Sequence, residues 1–519
     1  MERASGVLMP VSSLPGPYGI GGFGWNAYDF VDFLASCKQH YWQILPLTTT
    51  SYGDSPYQSF SARAGNPNFI DFAELIEAGY LEQRDIDGVY LGSDPNNVDY
   101  GAIFSGRRQI LDRAAERFAS DKPADFDDFV QANKDWLIPY CEFMTVKEEC
   151  GLKAFWEWPA ELRTRGEASA KVCANHPARM LYHQMTQYFF DRQWSRLKAY
   201  ANERDILIIG DLPIYVSRDS VEMWASPELF KIDAAGNPVS VAGTPPDQFS
   251  ATGQYWGNPI YDWDAMEADG FSWWQGRIRA ALNMYDVIRL DHFRGFESYY
   301  KIPYGMKDAK IGKWMPGPGV ELFRTVKEKL GTISIIAEDL GFVTPEVRQL
   351  LSDCGYPGMK VVQFAFDDDP ASTYLPQNYT TPNCVAYTGT HDNMTLRGWV
   401  SASPSKTIAF AKRYLHCRNA SDLPMAMLRL TWNSIAELAV GQMQDFLDSG
   451  PEGRMNTPST TGGNWQYRTV ASDFTPRLAK RIYSLNELSN RLPAKTAPKP
   501  IQRRAKSVRT AEKKTQGEQ

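Results

Sequence analysis

The chain has 519 residues and a net charge of −6, with no basic stripe for nucleic acid or anionic lipid in its body. Seven cysteines without a CxxC pair and six scattered histidines give no disulfide framework and no metal-ligand spacing. Reduced thiols, no metal, no cofactor and a reducing, cytoplasmic setting are therefore expected. The surplus is aromatic, with 15 Trp, 26 Tyr and 26 Phe. Most of these serve packing, but aromatic faces also suit the C–H faces of sugar rings.

The N-terminus, MERASGVLMPVSSLPG, has no sustained apolar region and is broken by Pro10 and Pro15, so it does not read as a signal peptide. No window is long and apolar enough to predict a membrane span. Short apolar runs then recur at 6–9 (GVLM), 41–45 (YWQIL), 206–209 (ILII), 287–290 (VIRL), 333–337 (ISIIA), 359–364 (MKVVQF) and 384–387 (CVAY), with an eighth placed at 437–444. Runs this short, apolar on both faces and separated by helical patterns predict buried parallel strands in βαβ units. Seven such runs in one chain point to an α/β fold, a (β/α)8 TIM-type barrel with large, mainly helical insertions, over an open doubly wound sheet.

The spacing between strands divides the chain. Residues 1–65 read as the first part of the barrel, 66–180 as a helical insertion domain, and 181–492 as the rest of the barrel. Within the last, 211–285 forms a second insertion rich in Pro, Gly and aromatics. A long structured loop on the strand-end side of a barrel is a candidate wall of the active site. Residues 493–519 are basic and nearly free of large apolar side chains, and are expected to be a disordered tail.

Four acids stand directly after predicted strands: Asp211 (ILIIGDLP), Asp291 (VIRLDHF), Glu338 (ISIIAEDLG) and Asp392 (YTGTHDN). One acid there could be a helix cap; four on one rim converge on the barrel axis. Arg289 and Asp291 are two apart on a strand and leave the same face, so the guanidinium favours the ionised carboxylate that a nucleophile needs. Glu338 follows Ile335-Ile336-Ala337, and apolar walls plus neighbouring acids favour the protonated form that a general acid needs. Two carboxyls driven in opposite directions are the working parts of glycosidic bond cleavage with retention. Asp392 is placed to meet the positive charge that develops on the sugar. His292 and His391 are open to a plainer reading as structural hydrogen-bonding groups of their loops.

The strings VIRLDHFRGFESYY, IIAEDLGFVTPEVRQLL, PGMKVVQFAFD and VAYTGTHDNMT closely resemble the 4-α-glucanotransferases, the amylomaltase or disproportionating-enzyme family. So do DSPYQSFSARAGNPNFID, GDLPIYVSRDSVEMWA, GTPPDQFSATGQYWGNPIYDW and RMNTPSTTGGNWQYR, and the likeness runs from about residue 6 to 492. The α-amylases share the Arg-x-Asp, Glu and His-Asp pattern but lack the GTPPDxFSxTGQxWGNP loop. The resemblance implies that Asp291 is the nucleophile, Glu338 the acid/base and Asp392 the transition-state stabiliser. It further implies that Arg289, His391, Asp211 and Tyr57 surround the donor sugar, while Phe249, Gln254, Trp256 and Asn464 lie on the acceptor side. For Phe249 and Trp256, loop packing is the alternative. Arg63 and Gln248 depart from the family pattern, and Gln248 bears on how the loop packs a distal sugar.

The implied activity moves a segment of an α-1,4-glucan to the 4-hydroxyl of another glucan or glucose, so maltodextrins, starch or glycogen fragments are the expected partners. Two alternatives share the sequence features: an α-glucan hydrolase with the same carboxylates, and a non-catalytic glucan-binding protein. The complete acidic set argues against the last. The loop at 243–259 carries the choice between sugar and water as acceptor.

Overall fold

The structure, a computed structural model, describes residues 3–246 and 250–493. Among the described residues, twelve strands form two sheets: β1 (Ala4–Leu8), β2 (Tyr41–Gln43), β3 (Leu207–Leu212), β4 (Ser240–Thr244), β5 (Gln254–Pro259), β6 (Val287–Leu290), β7 (Ser298–Pro303), β8 (Lys313–Pro316), β9 (Ile335–Ala337), β10 (Gly358–Val361), β11 (Cys384–Tyr387) and β12 (Leu438–Gln442). Eight of these are parallel, in the order β10-β11-β12-β1-β2-β3-β6-β9. The two ends of that order meet where Ala337 donates its N–H to the Pro357 carbonyl at 2.9 Å. The result is the expected TIM-type barrel, with a strand at each of the eight apolar runs.

Alternation along the strands separates an inner from an outer core. Leu8, Ile209, Val287, Ile336, Val361 and Tyr387, from six different barrel strands, belong to one buried cluster inside the ring. Their strand neighbours Val7, Ile208, Ile288, Leu290, Ile335 and Ala337 belong to the larger cluster that the surrounding helices cover. Each fully buried Val, Leu or Ile contributes about 1.5–3 kcal/mol, so both faces favour the barrel. Gly210 on β3 has a packing reason: a Cβ there would lie 2.1 Å from the ring of Tyr285, which sits against the strand.

Between β2 and β3 the chain is helical, with its longest helices at Tyr100–Ser120, Phe126–Glu149 and Pro177–Asn202. The last crosses residue 180 without a break. The segment after β3 holds more regular structure than its composition suggests. Its strands β4 and β5 join β7 and β8, which follow β6, in an antiparallel sheet of order β5-β4-β7-β8. Strands β4 and β5 pair antiparallel, and Trp256 of β5 stands against His292, the residue after Asp291. Among the described residues, no helix is long and apolar enough to cross a membrane.

Candidate active site

The acids do gather at the carboxyl ends of the barrel strands, with one change in placement. Asp211 lies inside β3 and not after it. Asp291 and Glu338 directly follow β6 and β9, and Asp392 lies on the loop beyond β11. Register explains the first contact. Asp211 on β3 is paired with Arg289 on β6, so both side chains point into the barrel at one level.

Arg289 Nη1 donates to both Asp211 oxygens, at 2.8 and 2.6 Å, and to Asp291 Oδ1 at 3.1 Å. The guanidinium is thus shared, and its shorter contacts are with Asp211 rather than with Asp291. Burial pushes the Asp211 carboxyl up from its ordinary value, and Arg289 opposes that shift. Arg289 itself is held well above its ordinary value by Asp211 and Asp291, in spite of burial. Tyr57 donates its hydroxyl to Asp211 Oδ2 at 2.9 Å. Its ring stacks on His391 at 5.0 Å and an interplanar angle of 21°.

Glu338 is gripped by backbone. His292 N–H donates to Oε2 at 2.8 Å and Leu340 N–H to Oε1 at 2.9 Å. His292 has φ 46°, a left-handed conformation that costs a non-glycine residue and aims its N–H at the carboxyl. Those two bonds favour the anion. Burial is the larger effect and, with Asp291 adding to it against Arg289, raises the Glu338 pKa from 4.5 to about 7. The expected direction for a general acid is therefore present. Burial also lowers the His292 imidazole to about 4, which keeps it neutral.

Asp392 is oriented from one oxygen. Its Oδ1 accepts from Asn456 Nδ2 at 2.6 Å and lies 3.4 Å from His391 Nε2. Arg454 Nη2 donates to the Asp392 carbonyl at 2.8 Å, and Asn456 N–H to the His391 carbonyl at 3.0 Å. The loop carrying both residues is clamped from below. The buried Asp445 accepts from Thr388 Oγ1 at 2.5 Å and from Leu396 N–H at 2.7 Å, one at each end of that loop.

Trp256 reaches the site from β5. Its ring meets the edge of His292 at 4.8 Å and 90°, and its Nε1 donates to Gln254 Oε1 at 3.1 Å. Phe249 lies outside the described residues. Asn464 accepts from Thr457 N–H at 2.9 Å and donates to Thr460 Oγ1 at 3.1 Å. Its neighbour Trp465 is the one that enters the aromatic group, 5.8 Å from both Tyr57 and His391. Trp465, Asn456 and Arg454 were not singled out from sequence, although all three lie in the segment RMNTPSTTGGNWQYR. Among the described residues, no group of three or more His, Cys, Asp or Glu is arranged to hold a metal ion.

Comparison with known proteins agrees with this geometry. The profile of the 4-alpha-glucanotransferase family matches residues 9–472. A 4-alpha-glucanotransferase of Streptococcus pneumoniae is 49% identical over 495 residues, covering 95% of this chain and 98% of that protein. One from Thermus thermophilus is 43% identical over 503 residues, covering 95% of this chain and all of the other. The structure of amylomaltase from Streptococcus agalactiae in complex with acarbose superposes with a TM-score of 0.92 at 45% identity, covering 95% of this chain and 100% of that one. With a matching fold, near-full coverage and the acids assembled on one rim, the chain belongs to the 4-alpha-glucanotransferase family.

Proposed function

We propose that this chain cuts an α-1,4-glucan and passes the segment to the 4-hydroxyl of a second glucan or glucose through a glycosyl-enzyme, with these residues in these roles. In the first half, an Asp291 oxygen bonds to the anomeric carbon, the glycosidic C–O bond breaks, and Glu338 gives its proton to the departing oxygen. In the second, Glu338 takes the proton of the incoming 4-hydroxyl, that oxygen bonds to the anomeric carbon, and the bond to Asp291 breaks. Two inversions leave the configuration retained. Asp392, fixed by Asn456, offsets the charge that develops on the ring between the two states. Tyr57, Asp211, Arg289 and His391 line the donor side, and Trp256 and Gln254 the acceptor side.

The observation that carries the reading is the unequal treatment of neighbouring acids. Arg289 lies 3.1 Å from Asp291, while burial beside Asp291 keeps the Glu338 proton up to about pH 7. The bound acarbose of the Streptococcus agalactiae relative supports a sugar-binding cleft on this scaffold. Maltotriose tests transfer against hydrolysis. Glucose together with a ladder of longer oligosaccharides is expected; shorter products alone would assign the chain to hydrolysis. Full activity in Asp291→Ala would remove the catalytic assignment. A reducing, cytoplasmic setting is proposed with it, on the support of seven cysteines that are all free.

A further inference from the structure

The segment after Glu338 leads outward to an exposed aromatic ring. Leu340 folds back, its N–H on Glu338 Oε1 at 2.9 Å. Gly341 then takes φ 84°, which a side chain would resist, and the chain turns away from the carboxyl. Phe342 follows with 79% of its surface exposed.

A single exposed apolar residue is ordinary. This one is held in place by a buried cation. Arg294 is 8% exposed and donates Nη1 to the Phe342 carbonyl. Its guanidinium lies 3.8 Å from the centre of the Trp314 ring and 5.6 Å from that of Phe342. Trp314, Arg294 and Phe342 therefore form one continuous group, from β8 of the antiparallel sheet to the loop that begins at Glu338. The connection between β7 and β8 is in turn tied to the segment before β5, since Ala309 N–H donates to the Thr252 carbonyl at 3.0 Å.

Glu338 handles the oxygen of the departing sugar and later that of the incoming one. Both sugars lie on its side of the reacting carbon, and a glucan extending from them runs outward past the rim. An aromatic face fixed there, at the end of the Glu338 loop, matches the C–H faces of pyranose rings. We propose that Phe342, backed by Arg294 and Trp314, is a distal glucan-binding platform on the acceptor side. It favours long α-glucan chains over short ones, which end before they reach it. The inference rests on the role given to Glu338 above.

The test compares full-length wild type and Phe342→Ala on amylose and on maltotriose. The ratio of kcat/KM for amylose to that for maltotriose is expected to fall about 3–10-fold in the variant, the weight of one aromatic contact. Phe342→Trp should restore the ratio, because it keeps an aromatic face. Arg294→Lys, which loses the planar stack on Trp314, should lower the ratio in the same direction. An unchanged ratio in Phe342→Ala overturns the platform, including the case where both substrates suffer equally, since that outcome means Phe342 merely props the Glu338 loop. A wild-type protein that fails to act on maltotriose at all would sink the transferase reading, and the platform with it.

Discussion

Replacing Arg289 by methionine separates the structural from the catalytic use of one guanidinium. Arg289 sits 2.6 and 2.8 Å from the two oxygens of Asp211, whose side chain is 0% exposed, and 3.1 Å from Asp291. Removing one partner of a buried pair leaves the other charge without compensation, which costs about 3–5 kcal/mol. Replacing both partners with neutral groups costs far less, because the desolvation of two ions disappears with them. Arg289→Met alone is thus expected to lose about 3–5 kcal/mol in urea unfolding, with an unchanged slope. The double variant Arg289→Met, Asp211→Asn should recover most of that loss; the new amide oxygen can still accept from the Tyr57 hydroxyl. The pH–rate profile supplies a second readout. Arg289 opposes the effect of burial on Glu338, so its removal should carry the basic limb above its wild-type position near pH 7. If the double variant is no more stable than the single one, or if its basic limb stays where it was, the reasoning fails.

Five further outcomes are expected. Wild-type activity should fall as pH rises through about 7: the Glu338 pKa is raised from 4.5, the acid form is the one the proposed first half-reaction uses, and that form is lost above the shifted value. Glu338→Gln should abolish that limb and lower kcat by roughly 10²–10⁴, as read in initial rates on maltotriose. Asp445→Ala should free both ends of the loop bearing His391 and Asp392, with kcat falling and stability dropping by about 2–4 kcal/mol for two unpaired buried partners; Asp445→Asn should lie between, and equal kcat in all three would show that the clamp is catalytically idle. Tyr57→Phe keeps the stack on His391 but loses the bond to Asp211, for about 1 kcal/mol by thermal or urea denaturation. Trp256→Ala should raise free reducing sugar relative to ladder products, since it opens the acceptor side to water, and an unchanged ratio would move that control elsewhere.

The barrel was legible because its signal is local. Each strand is a short apolar run with a core on both faces, and each such run became a strand. The same two-residue alternation set Arg289 and Asp291 on one face before any tertiary contact was known. The acids at strand ends also follow from the sequence, but the upward shift of the Glu338 carboxyl comes from its burial in the assembled site, with Asp291 adding to it.

Tertiary structure decided the partners. Arg289 looked paired with Asp291, its near neighbour in sequence, but its shorter contacts are with Asp211, because β3 and β6 lie side by side and in register. The antiparallel sheet left no clear trace, since its halves β4–β5 and β7–β8 stand on opposite sides of a barrel strand in the sequence. Asn456 reaches Asp392 across 64 residues, and Trp465 reaches Tyr57 from near the C-terminus. Within that segment Asn464 bonds to Thr457 and Thr460, which lie seven and four residues before it. Residue type and spacing along the chain determine which groups can do the chemistry and which way they face. Closing the ring of eight strands brings distant loops to one rim, and only that closure determines which groups meet.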